Sequence, residues 1–203
     1  MPIYVYSYFF IIIFSIYFHN NKNNILEKVL WLNFTLFLVF LIGFRHNIGG
    51  DWWVYEQNYD LIDKNKSFLE IVNKYKFKSE LGFLIISLIV KKINLSFHYV
   101  NFILSIIFFI NLSIFINKFK NKFLCLLICF PIIILIFHAG FIRQSIAFSF
   151  FLLSLNSFLK KRNISFILYI FLGFIFHSSI IVFLFLLLFI DQKLNIAKIF
   201  LTL

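Results

Sequence analysis

The chain has 203 residues and a net charge of +11, with 62% hydrophobic and 13% charged residues and a mean hydropathy of +0.96. Soluble domains average roughly 45–50% apolar and about 25% charged residues, and a chain of this size lacks the interior to hide the difference. The composition excludes a water-soluble enzyme, a disordered chain and a collagen-like one, and it places the protein in a membrane.

The apolar runs are continuous and do not alternate, so they read as helices and not as barrel strands. The spans expected in chain order are 2–18, 29–44, 98–116, 123–140, 143–159 and 164–190. The first lacks the basic start and small-residue cleavage site of a signal peptide and reads as a retained helix. Residues 81–90 form too short a run to cross and are followed at once by Lys91 and Lys92, so 81–97 reads as a short re-entrant segment. The run 164–190 is long for one helix and is interrupted at His177-Ser178-Ser179, which suggests two half-buried helices or one tilted helix. The fold class is thus all-α, a polytopic transmembrane bundle of about six to eight membrane segments forming a single integral membrane domain over 1–203.

Most of the excess positive charge lies in short gaps between apolar runs. Lys22 and Lys28 occupy one gap, Lys118, Lys120 and Lys122 another, and Lys160, Lys161 and Arg162 a third. The positive-inside rule explains this placement without a nucleic-acid partner. Putting all three gaps on the cytoplasmic side requires 81–97 to enter and leave on one face, as its shortness also suggests. The amino terminus, the 45–80 loop, the 138–143 gap and the His177 break then face outward. The loop holds six of the eight acidic residues, Asp51, Glu56, Asp60, Asp63, Glu70 and Glu80, balanced by bases and interleaved with aromatics. Its 52–78 portion reads as an amphipathic segment resting on the membrane interface. Cys125 and Cys129, four apart in an apolar run, read as packing residues; no metal-site spacing occurs.

Ionisable residues near membrane depth are costly and point to cavities or partners. Four clusters qualify, all on the outward side. Arg45-His46-Asn47-Ile48-Gly49-Gly50-Asp51 sets a guanidinium and a carboxylate around a glycine pair, a pattern suited to a phosphate and a sugar hydroxyl. A helix end with a flanking arginine reads equally well. Glu80 leads into the re-entrant segment, either complementing a helix start or acting as a general base at the mouth of a cavity. Arg143 opens a helix on the side where the positive-inside rule gives it no reason to be; with the helix start it makes an anion site. His138, just upstream, suits an interfacial structural role as well as a binding one. His177 is placed to donate to a phosphate or carry a proton, while Ser178 and Ser179 also suit a simple helix kink.

These clusters, in this order, resemble the EpsG family of Wzy-type polysaccharide polymerases. The matching stretches are Arg45 to Tyr55, Glu80-Leu81-Gly82-Phe83, Arg143-Gln144-Ser145-Ile146-Ala147 and Phe176-His177-Ser178. Trp52 stands where the family often has Tyr, and Gly50 where a small polar residue is common. The resemblance implies a glycosyltransferase of the bacterial inner membrane, multi-pass with its active face outward. It would join sugar repeat units carried on undecaprenyl pyrophosphate for exopolysaccharide, capsule or O-antigen. For that chemistry the residues offer a catalytic set of Glu80, Asp51 and His177, with Glu80 or Asp51 as the base or acceptor-binding group, His177 assisting at the leaving group, and Arg143 and Arg45 on the pyrophosphate. Arg45, Arg143, Gln144, Tyr55 and His138 form the corresponding substrate-binding set, and no cofactor or metal is called for. The partners implied are the lipid-linked glycan, membrane lipid and other polysaccharide-assembly proteins. Family members are typically longer, and the end at Lys198-Ile199-Phe200-Leu201-Thr202-Leu203 reads as the start of a further helix. A flippase for lipid-linked sugars would instead spread polar groups through the whole bilayer. A membrane acyltransferase would draw its donor from the cytoplasmic side.

Overall fold

A computed structural model describes residues 2–20, 24–66, 68–75 and 80–189. The described residues form helices α1 (Pro2–Asn20), α2 (Asn24–Gly43), α3 (Trp52–Asp60), α4 (Phe68–Tyr75), α5 (Leu81–Lys92), α6 (Phe97–Ile116), α7 (Lys122–Cys129), α8 (Ile142–Leu159) and α9 (Asn163–Phe176). α7 continues as a π-helix, Phe130–His138, and α9 is followed by a 3-10 helix, Ser178–Phe189. The expected run 164–190 is therefore two pieces that break at His177, and its last residue lies outside the described residues. Also outside them are Lys22, Ser67, residues 76–78 of the interfacial segment and the carboxy-terminal helix expected near 198–203.

Four helices are long and apolar enough to cross a membrane: Pro2–His19, Ile25–Gly43, Phe97–Ile116 and Ile142–Leu159. Three shorter apolar helices, Lys122–His138, Asn163–Phe176 and Ser178–Leu187, pack with them, and length and composition alone do not raise the count to six. The change of winding in the middle of the fourth apolar run coincides with Pro131, which supplies no backbone N–H to the helical ladder.

Contacts sort the helix ends into two groups. At the lower end, the Asn121 amide donates to the Ser15 carbonyl at 2.9 Å, Phe18 stacks on Phe123, and Trp31 meets the same ring edge-on. Lys118 lies near enough to Lys160 to lower its pKa, after the larger effect of desolvation. The basic gaps at 117–122 and 160–162 thus share one end. At the upper end, Gly49 has φ +117°, and a Cβ there would lie 2.5 Å from the Ala139 carbonyl oxygen. Only glycine adopts this backbone and lets the 45–51 loop seat against the turn before α8.

α5 does not run from one end to the other. Its first residues join the upper end, where a Cβ on Gly82 would lie 2.8 Å from the Phe176 ring. The turn beyond its last residues joins the same end, because the Tyr59 hydroxyl donates to the Leu95 carbonyl and Trp52 packs edge-on against Phe97. Ile62 and Ile71 bury against Leu84 and Leu88 in a small separate core. α3, α4 and α5 therefore make a layer along the upper end of the bundle.

The main core, filled by phenylalanines such as Phe108, Phe109, Phe123 and Phe130, lies among α1, α2, α6, α7 and α8. A line of uncharged polar residues holds α6 to α8 within it, including the Asn111 amide donating to Ser149 Oγ at 3.0 Å. Such hydrogen bonds between helices are worth about 1 kcal/mol each in lipid.

Candidate functional site

Three elements meet at the upper end to form an ionic cluster. Glu80 is the residue before α5, yet its side chain makes no capping bond to that helix. Its carboxylate turns to two neighbours instead. Oε2 accepts from Arg143 Nη1 at the start of α8, and Oε1 lies 2.8 Å from His177 Nδ1 at the break after α9. The carboxylate thus stands at the start of α5 and spends its hydrogen bonds on α8 and the break after α9. All three side chains are about a quarter exposed, at 22–23%, so the cluster is open to an incoming group.

The backbone explains why these side chains meet. α9 stops because His177 is extended (φ −161°, ψ 128°), and this carries its ring away from the helix axis. Gly82 lets the start of α5 lie against Phe176, which brings Glu80 beside His177. Arg143 is in the first turn of α8, one residue past its start at Ile142.

Tyr55, from the first turn of α3, completes the cluster. The Arg143 guanidinium lies 4.9 Å from the centre of its ring, and its hydroxyl donates to Asp51 Oδ2 at 3.1 Å. Burial raises the Tyr55 pKa above its ordinary value, an effect that the neighbouring Arg143 partly offsets. The phenol therefore stays protonated and keeps its hydrogen to donate. Arg143 uses only Nη1 on the carboxylate, and its Nε is buried with no partner among the described residues.

The other residues of the expected set are placed differently. Arg45 is buried and serves the chain itself: Nη1 donates to the Ile42 carbonyl at 2.9 Å and Nε to the Ile48 carbonyl at 3.2 Å. Its guanidinium lies 5.7 Å from the Trp52 ring centre, and desolvation lowers its pKa to about 10, which leaves it cationic at neutral pH. His138 is 0% exposed and stacks on Phe108 at 3.9 Å. Ser145 donates its hydroxyl to the Ile142 carbonyl, so His138 Nδ1 must be the donor to Ser145 Oγ at 2.8 Å. Nε2 then accepts from Ser105 at 3.0 Å. Both ring nitrogens are satisfied inside the core, so His138 does not join the cluster. Gln144 is half-buried beside Arg143 and makes no side-chain hydrogen bond among the described residues.

Two features were missed in the sequence. His46 and His98 bring ring nitrogens within 3.3 Å of each other although they lie 52 residues apart. Asp60 pairs with Lys91 at 3.9 Å beside a polar cavity. The concentration of acids in the 45–80 loop is the sequence signal for the second. Among the described residues no group of three or more His, Cys, Asp or Glu could hold a metal ion.

Among the described residues the structure is helical throughout, with several apolar helices and a partly open cluster of Arg, Glu and His at one end, the build of a polytopic membrane protein. The chain belongs to the EpsG family, whose family model matches residues 28–203. Membership makes it a membrane protein of polysaccharide biosynthesis. No curated protein and no solved structure matches the chain.

Proposed function

We propose that this protein is a membrane glycosyltransferase that joins sugar repeat units carried on undecaprenyl pyrophosphate. The observation that carries the reading is the Glu80 carboxylate held between Arg143 and His177. The three residues come from parts of the chain 63 and 97 positions apart and meet with 22–23% of each side chain exposed.

The roles follow from the chemistry of each group. The donor's pyrophosphate competes with Glu80 for the Arg143 guanidinium, whose planar fork suits a phosphate. Glu80, freed on one oxygen, still accepts from His177 Nδ1–H and so leaves Nε2 as the basic nitrogen. The acceptor hydroxyl passes its proton to Nε2 as its oxygen bonds to the anomeric carbon. The bond from that carbon to the pyrophosphate oxygen breaks, and the leaving group keeps the electron pair against Arg143. Tyr55 backs the guanidinium, and Asp51 anchors Tyr55. Asp51 and Arg45 are thereby supporting residues.

The lower-end concentration of lysines supports an orientation with the cluster outward in a bacterial cytoplasmic membrane, α5 dipping into the outer leaflet and returning. The Arg143–Glu80–His177 cluster at the upper end, with uncharged polar side chains such as Asn111 and Ser149 between the core helices, favours an enzyme over a flippase. The test is deletion of the gene followed by analysis of lipid-linked glycans. Accumulation of complete single repeat units is expected. Intermediates shorter than one unit, or polymer of normal length, would overturn the proposal.

A further inference from the structure

A second polar cavity lies at the same end, and nothing said so far uses it. Its volume is about 540 Å³, within the usual range for small-ligand sites. One wall is the end of α3 and the turn after it, with Glu56, Asp60 and Asp63; the other is the α5–α6 turn, with Lys91 and Asn94. α3 joins it to the ionic cluster, since Asp51 and Tyr55 stand at one end of that helix and Tyr59 and Asp60 at the other. Nine residues at 1.5 Å each make the separation about 13 Å along the helix.

The lining is unusual for this chain, where charged residues are 13% of the whole. Three carboxylates face two ammonium groups, those of Lys64 and Lys91. Both ammonium groups are already engaged: Lys91 with Asp60 and over the Tyr59 ring at 4.6 Å, Lys64 with the Asn94 side-chain carbonyl at 2.6 Å. His98 also lines the cavity, with Nε2 3.3 Å from His46 Nδ1. Carboxylates and an amide accept and donate to hydroxyls, while the surplus of negative charge repels phosphate. The cavity carries one net negative charge, whereas at the other end of α3 the Arg143 guanidinium is the group that can exchange its carboxylate partner for an anion.

We infer that this cavity is a saccharide subsite for neutral or amine-bearing sugars, holding the glycan while its pyrophosphate end is at Arg143. The inference rests on the glycosyltransferase reading and assigns where the sugars lie. Substrates with acidic sugars at this position are disfavoured.

The test uses the full chain in nanodiscs and two probes: oligosaccharides cut from the polymer of the same cells, and inorganic pyrophosphate. Saturation-transfer NMR should detect the oligosaccharides, and excess pyrophosphate should not displace them from the cavity. E56Q/D63N should weaken that binding at least tenfold, and Asn94→Ala, on the opposite wall, should weaken it in the same direction with the variant extracted in normal amount. In cells, E56Q/D63N should shorten the polymer, whereas Arg143→Ala should abolish it. Unchanged oligosaccharide binding in both variants, or no binding to the wild-type chain, would overturn the subsite. Polymer of normal length in E56Q/D63N beside none in Arg143→Ala would discard the subsite and leave the enzyme reading standing. Normal polymer in both strains would discard the two together.

Discussion

Arg143 and His177 differ from Arg45 and His138 in their partners and not in their residue types. The first two are 22% exposed and share one carboxylate; the second two are 5% and 0% exposed and are satisfied by carbonyls and hydroxyls. All four come from short polar interruptions of apolar sequence, and all four sit near the upper end. A charge bound by backbone carbonyls fixes a loop, because breaking it strands those acceptors. A charge held by one carboxylate at a partly open surface can be exchanged for a ligand's charge.

The comparison can be broken most sharply at Arg143. Replacing it by Ala, or by Lys with its point charge, should lower polymer formation by about 10²–10³-fold while the protein still inserts. Sugar polymer quantified against extracted protein checks this, and normal polymer would remove Arg143 from the chemistry. His177→Ala should cost about 10²-fold or more, the range for a lost general base. The same assay applies, and a loss below about threefold would make His177 a helix break only.

Gly49→Ala tests the packing that brings the loops together. A Cβ at φ +117° and 2.5 Å from the Ala139 oxygen must push the 45–51 loop away. The expected result is a marked drop in the amount of folded protein in detergent, and an unchanged yield would contradict it. Next in size, His138→Ala should reduce stability by about 1–3 kcal/mol through stranded serine hydroxyls. Turnover per folded molecule should stay unchanged. A thermal-shift measurement beside the polymer assay separates the two. The smallest effect belongs to Tyr55→Phe, which keeps the ring under Arg143 and removes the hydroxyl with its bond to Asp51 and its interaction with Arg143. A loss of about two- to tenfold is expected, roughly 0.5–1.5 kcal/mol for one hydrogen bond. A larger loss would give the hydroxyl a direct part in the reaction.

Much of this was legible in the sequence. Apolar runs located the long helices, and His177 marked the break before the last one. The short 81–90 run preceding Lys91 and Lys92 reads as too short to cross, because length limits what a helix can span, and α5 has 12 residues. The parity of the basic gaps grouped the four polar clusters at one end. What could not be read was which side chains meet there. Glu80 touches Arg143 and His177 across 63 and 97 residues, and those contacts depend on a close approach at Gly82 that no local pattern encodes. His138 was misleading for the same reason. A histidine just upstream of Arg143 suits a binding role as well as a structural one, and its partners, Ser105 and Ser145, are ordinary helix-facing serines recognisable only once α6 and α8 are packed. The winding change after Pro131 was likewise hidden, since a continuous apolar run carries no sign of its ladder.

The account stands on Arg143 and His177 working on one reaction through a shared carboxylate. The most direct measurement is a double-mutant cycle, with polymer formed per extracted molecule compared among Arg143→Ala, His177→Ala and the combined variant. Groups acting as one unit are strongly non-additive, so the combined variant should lose about as much as the worse single one. Losses that multiply would mean the two residues act independently and would contradict the account.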